Sequence, residues 1–364
     1  MKVLSIFGTR PEAIKMAPVV KELERRGPEI ESVVCVTAQH RDMLDQVLEV
    51  FNIKPDYDLN IMRPNQTLAD ITAKALRGIE DVIIKEKPDL VLVHGDTTTA
   101  MAGSLAAFYQ QVMVGHVEAG LRTFNKYSPF PEEMNRQIID RIADFLFAPT
   151  EVSKSNLAVG LNKDQKIIVT GNTAIDALKT TVSTEYSNPI LDWVGESRLI
   201  LVTAHRRENL GDAMRNIFKA IKKVVNDFPD VKVIYPVHLN PKVQSVAKEV
   251  LGDDDRIKLI EPLDVLDFHN FMEKAYFIMS DSGGVQEEAP SLEKPVLVLR
   301  DTTERPEGVD AGTLKLVGTD MDNVYEGAKE LLTNNEVYKR MSEAKNPYGD
   351  GFASKYIVDA ILGK

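Results

Sequence analysis

A chain of 364 residues is long enough for two hydrophobic cores, and 43% hydrophobic with 27% charged residues is the composition of a globular protein. The net charge of −11 argues against nonspecific nucleic-acid binding, which needs basic surface, so cations for any anionic ligand would have to be local. The single cysteine, Cys35, excludes an internal disulfide framework and argues against a thiolate metal cluster, and no apolar run approaches the roughly 18 residues that span a bilayer. The apolar run in MKVLSIFGTRPEA is too short for a signal peptide, so cytoplasmic residence is expected.

Short β-rich runs alternate with helical patterns along the chain. KVLSIF (2–7) leads into a helix over about 11–26, and SVVCVT (32–37) into one around 43–51. DLVLVHG (89–95) precedes a helix over 97–110, followed by VMVGHVE (112–118) and DFLFAP (144–149). After a polar stretch at 180–197, with Asn188-Pro189 as a turn signal, the pattern restarts at RLILVTA (198–204). It continues through VKVIYPV, IKLIE, YFIMSD and PVLVLR. Near-continuous apolar strands alternating with helices predict parallel sheets covered on both faces. The expected fold class is α/β: two doubly wound domains facing each other across a cleft, with sites at the carboxyl ends of the strands.

Chemically suggestive residues fall at those ends. In FGTRPEAIK, Thr9 and Glu12 fit a capping box and Pro11 suits the first helical turn, which would set Arg10 and Lys15 near a helix start. One glycine there, where a dinucleotide fingerprint needs three, gives NAD binding poor support. Arg10 reads either as surface charge or as a phosphate contact. HGDTTTA and HVEAGLRT place Asp96 and Glu118 at the ends of successive strands. Asp96 could instead cap the following helix, and Glu118 could pair with Arg122. In YSPFPEEMNR, Glu132 and Glu133 open a helix where the dipole favours acids. Three acids could divide base and acid duties if their environments separate them.

In the second half, TAHRREN sets His205 and Arg206 after the first strand, and YPVHLNP sets His238 after the next. His40, His94, His116 and His269 look less suited to chemistry, and no histidine spacing resembles a zinc set. RDTTERPEG supplies Arg305 within chain reach of DSGGVQEEAP (281–290). That last segment is a strand, a tight glycine turn and a helix start, a corner where backbone N–H groups receive anions. Ser282, Gly283 and Gly284 could hold a diphosphate, with Glu287 or Glu288 accepting from ribose hydroxyls. The ligand expected from this division is a nucleoside diphosphate carrying a further group.

These motifs, ten in order from GTRPEAIKMAPV to RDTTERPEG with TAQHRDMLDQVL and TGNTAIDAL among them, closely resemble the non-hydrolysing UDP-N-acetylglucosamine 2-epimerases across essentially the whole chain. The resemblance implies a GT-B-like pair of Rossmann-type domains: residues 1–175 with a C-terminal helix at 350–364 crossing back, and a UDP-binding domain at 176–349. It also implies a homodimer and no cofactor. The implied activity is reversible C2 epimerisation through loss of UDP, a 2-acetamidoglucal and re-addition, with Asp96, Glu118, Glu132 and His205 catalytic. Substrate contacts would come from Arg10, Lys15, Asp96, Glu118, His205, Leu263, Phe268, Ser282, Gly283, Gly284, Glu288 and Arg305. Leu263 stands where some relatives have glutamine. Some bacterial members bind a second UDP-N-acetylglucosamine as activator, at positions matching Gln39, Asp42, Asn65, Glu132, Arg206 and His238. Asp42 and Asn65 depart from the glutamine and arginine found there. The competing readings are a 2-epimerase for a related UDP-acetamido sugar or uronate, and a GT-B glycosyltransferase.

Overall fold

The computed structural model describes residues 1–38, 41–158 and 164–364. The chain forms two compact units, Met1–Thr180 with Tyr348–Lys364, and Thr181–Pro347. The first division falls a few residues beyond 175, because the helix Thr173–Thr181 runs through that position.

The first unit holds strands β1 (Lys2–Phe7), β2 (Glu31–Val36), β3 (Tyr57–Asp58), β4 (Leu90–His94), β5 (Met113–Val117), β6 (Phe145–Ala148) and β7 (Lys166–Val169). They pair in parallel in the order β3-β2-β1-β4-β5-β6-β7. The second unit holds β8 (Arg198–Thr203), β9 (Val231–Pro236), β10 (Ile257–Ile260), β11 (Phe277–Ser280), β12 (Val296–Val298) and β13 (Leu314–Leu316). These are parallel in the order β10-β9-β8-β11-β12-β13. Each sheet therefore reverses its strand order beside its first strand, between β1 and β4 and between β8 and β11. Ligands of doubly wound sheets bind at such a reversal, outside the carboxyl ends of the strands. The loops there begin at Gly8 and Gly95 in one unit and at Ala204 and Asp281 in the other.

Helices cover both faces, so the central strands are mostly apolar and buried, β4 at every position. The sequence did not announce β3, β7 and β13. All three are edge strands of two to four residues, too short to carry an alternation of their own. Thr9 caps the helix Arg10–Arg25 in a capping box with Glu12, and Pro11 sits in its first turn. Buried Glu12 also accepts from Thr97 Oγ1 at 2.6 Å, which ties the loop after β1 to the loop after β4. Burial raises Glu12 above the usual carboxylate range, partly offset by those hydroxyl and backbone donors.

Gly8 is fixed by contact: a β-carbon there would lie 2.0 Å from Thr37 Oγ1 and 2.8 Å from Thr99 Oγ1. Those hydroxyls already bond each other at 2.8 Å. Gly8→Ala is expected to cost about 1–3 kcal/mol, the scale of an overpacked core. Denaturant melts check this; an unchanged midpoint would mean the threonine pair yields freely.

The helix Ala353–Ile361 packs within the first unit against the helix Arg10–Arg25. Arg26 reaches Asp359 at 2.5 Å, and Asp176 accepts from the N–H groups of Ala353 and Ser354. Among the described residues no helix is long and apolar enough to cross a membrane.

Candidate active site

In the first unit the structure gathers Lys15, Glu118 and Asn172. Lys15 Nζ pairs with Glu118 Oε2, and Asn172 Nδ2 donates to the same oxygen at 3.1 Å. Arg122, the alternative partner for Glu118, is engaged elsewhere, with Asp140 at 2.6 Å. Glu118 has a φ of +67°, a left-handed conformation that costs a side-chain-bearing residue about 1–3 kcal/mol and is held only where its surroundings enforce it. Its Oε1 would be 3.9 Å from a β-carbon on Gly95, so the carboxylate hangs over the glycine that precedes Asp96.

Asp96 is not the helix cap. Thr97 takes that role, accepting from Ala100 N at 3.1 Å, which leaves the Asp96 carboxylate half-buried at the strand end. Arg136 Nη2 donates to Asp96 Oδ2 at 2.5 Å and Asn135 Nδ2 to its carbonyl at 2.9 Å. Both come from the helix Glu132–Ile142, whose first residue, Glu132, is half-buried. Glu133 is a structural acid: fully buried, it accepts from Thr123 N and Gln137 Nε2. Arg10 opens its helix, half-buried.

His94 deserves more weight than its place in the sequence suggests. It is buried behind Glu118, with Nε2 3.8 Å from Glu118 Oε2 and no hydrogen bond at either ring nitrogen. Burial drives its pKa from 6.5 down to about 3, so it is neutral. A histidine depressed on folding contributes stability above its unfolded pKa and loses it as pH falls towards the folded one. Urea midpoints should therefore fall between pH 6.5 and pH 3, and His94→Leu should flatten that slope; parallel slopes would contradict it.

In the second unit the organising group is Asp281, fully buried at the end of β11. Its Oδ2 accepts from His205 N and Arg206 N, each at 2.9 Å, and from Asn209 Nδ2 at 3.0 Å. Its Oδ1 lies 3.2 Å from His205 Nδ1. Burial lowers the His205 pKa, with the Asp281 charge opposing and His238 and Arg206 reinforcing. His238 stacks on His205 with ring centres 5.7 Å apart.

Two guanidinium groups converge on the glycine turn. A β-carbon on Gly283 would lie 3.6 Å from Arg305 Nη2 and 4.0 Å from Arg206 Nη2. Arg305 is steadied by buried Glu287, and Arg206 by the Asp281 carbonyl at 3.0 Å and Glu304 at 3.3 Å. Arg300 bonds Glu208 at 2.8 Å and Glu304 at 2.5 Å, so the two arginine-bearing loops are cross-tied. Glu287 is thus occupied, and Glu288 remains half-buried with Oε1 3.8 Å from the β-carbon position of Gly284. Its Oε2 lies 3.6 Å from His269 Nε2, whose Nδ1 bonds Thr181 Oγ1 at 2.6 Å. The Ser282 N–H is used by Ser280 Oγ at 3.0 Å, so Ser282 offers its hydroxyl, while Gly283 and Gly284 sit in the helix's first turn. Leu263 and Phe268 flank Asp264, the cap of the helix Val265–Lys274, and both are half-buried.

The residues matched to an activator site are drawn from both units. Gln39 and the Asp42 side chain lie outside the described residues. Asn65 is exposed with a φ of +61°, while Arg206 belongs to the glycine corner. Among the described residues no group of three or more His, Cys, Asp or Glu could hold a metal ion.

Two doubly wound units, one with acids and a lysine at its strand ends and the other with an arginine-lined glycine corner, define an α/β enzyme of the GT-B-like class. A family model described as UDP-N-acetylglucosamine 2-epimerase matches residues 21–362. The Bacillus subtilis UDP-N-acetylglucosamine 2-epimerase is 66% identical, covering 100% of this chain and 95% of that protein. Among solved structures, the Neisseria meningitidis UDP-GlcNAc 2-epimerase bound to UDP-GlcNAc is 52% identical with a TM-score of 0.88, covering 100% of both chains. S. aureus MnaA with UDP is 60% identical at a TM-score of 0.88, covering 100% of this chain and 96% of that one. The chain belongs to the UDP-N-acetylglucosamine 2-epimerase family.

Proposed function

We propose that this protein interconverts UDP-N-acetylglucosamine and UDP-N-acetylmannosamine by eliminating and re-adding UDP. The observation that carries the reading is the division of labour between the units. One presents half-buried acids at its strand ends, and the other a cationic glycine corner with a carboxylate beside it. The diphosphate would lie against Gly283, Gly284 and the Ser282 hydroxyl under Arg305, with Glu288 on the ribose and Phe268 beside uracil near the Leu263 backbone.

The C2 proton of this substrate has no adjacent carbonyl, so it is not acidic until the C1–O bond opens. As that bond breaks, its electron pair leaves with UDP and C1 gains oxocarbenium character. A carboxylate then takes the C2 proton and the C2–H electrons form the glycal double bond. Reprotonation at C2 on the opposite face and return of the UDP oxygen to C1 complete the epimerisation. Asp96, Glu118 and Glu132 supply base, acid and cation stabilisation, with Lys15 beside Glu118 setting its charge. His205, Arg10, Arg305 and the corner stabilise the departing diphosphate, electrostatic support that is often the largest catalytic term.

The family reading carries with it a cytoplasmic homodimer, which light scattering of the purified protein tests. Product identity tests the reaction itself. Incubation with UDP-N-acetylglucosamine should yield UDP-N-acetylmannosamine with total UDP-sugar conserved. Accumulating free N-acetylmannosamine and UDP would reassign the enzyme as hydrolytic.

A further inference from the structure

His116 lies inside β5 and is wholly buried. Its Nδ1 is 2.6 Å from Asp140 Oδ1 and its Nε2 is 2.7 Å from the Gly95 carbonyl oxygen. A carbonyl has no hydrogen to give, so Nε2 must donate. Asp140 anchors the other side of the ring: Arg122 Nη2 stands 2.6 Å from its second oxygen, and although burial pushes the carboxyl up, its neighbours more than offset this and hold it below the usual range.

We infer that His116 serves as a positioning residue for Asp96, its Nε2 donating to the Gly95 carbonyl from inside the sheet. Gly95 has a φ of +65° and no β-carbon, so the peptide joining it to Asp96 has little else to fix its plane on that side. On the outer side Arg136 and Asn135 hold the Asp96 carboxylate and carbonyl. Gly95 N donates to Val117 O at 2.9 Å, and the His116 bond completes the inner side. The titratable and charged groups facing His116 are Asp140 from the helix Glu132–Ile142, Arg122 from the loop after β5, and neutral His94 from β4.

The inference rests on Asp96 being catalytic, and its test separates the two claims. Nitrogen-15 spectra of the histidine-labelled wild-type protein should show one ring whose Nε2 carries a hydrogen-bonded proton. Asp140→Asn should move that signal, which assigns it without removing His116. His116→Gln, whose amide can still donate to Gly95, should lower kcat by about tenfold. His116→Leu should lower it by about a hundredfold, the scale of a small displacement of a reacting group, with KM near wild type in both. A His116 ring without a proton on Nε2, or wild-type kcat in His116→Leu, would overturn the inference. If Asp96→Asn is nearly inactive while His116→Leu turns over normally, only this inference fails. If Asp96→Asn turns over normally, the positioning role falls with the reading beneath it.

Discussion

Glu118→Gln should lower turnover by about 10²–10⁴, the range for removing a general acid or base, while leaving UDP affinity near wild type. The amide keeps the shape of the side chain and its place over Gly95 but takes up no proton at working pH. It also leaves Lys15, half-buried beside it, without its carboxylate partner. UDP affinity should hold because the corner proposed for the diphosphate, where Arg206 and Arg305 meet Gly283, lies in the other unit. Asp96→Asn should behave alike, since Arg136 and Asn135 would still hold the side chain in position. Steady-state rates with calorimetric UDP titrations check both variants. Near-wild-type turnover in either one removes that residue from the proton-handling set.

Arg305→Ala is the second large effect expected, and it should act on binding. A lost charge-assisted hydrogen bond is worth about 1.5–3 kcal/mol, so UDP affinity should fall by roughly tenfold to a hundredfold. The change also removes the guanidinium that pairs with buried Glu287. Breaking a buried pair by removing one partner costs about 3–5 kcal/mol of stability. The double variant Arg305→Ala, Glu287→Gln should recover much of that stability without recovering affinity. If it recovers both, Arg305 acts through the fold and makes no contact with the diphosphate.

Much of this site could be read from the sequence because a doubly wound sheet puts its chemistry where apolar runs end. Asp96, Glu118 and His205 each follow a strand by one or two residues, so locating the strand locates the residue. The capping box at Thr9 and Glu12 was legible for the same local reason. What sequence could not supply was pairing at long range. Lys15 meets Glu118 across 103 positions, and Arg136 meets Asp96 across 40. Arg206 reads as part of an activator site by resemblance, yet its guanidinium lies by Gly283, a contact that needs the β8 and β11 loops side by side. His94, His116 and His269 seemed idle because they sit within strands or a helix. Burial is what gives them meaning, since each lies behind a candidate group: Glu118, Gly95 or Glu288. The quoted motifs held some of the missing partners in plain view. Asn135 and Arg136 end PEEMNR, Asn172 lies in TGNTAIDAL, and Asp281 opens DSGG.

The central claim is that the C2 proton leaves and returns while UDP is off the sugar. Proton NMR of UDP-N-acetylglucosamine incubated with the pure protein in D₂O tests it most directly. UDP-N-acetylmannosamine should appear with deuterium at C2, and deuterium should enter recovered UDP-N-acetylglucosamine as equilibrium is approached. A product that keeps its C2 proton would contradict the elimination account.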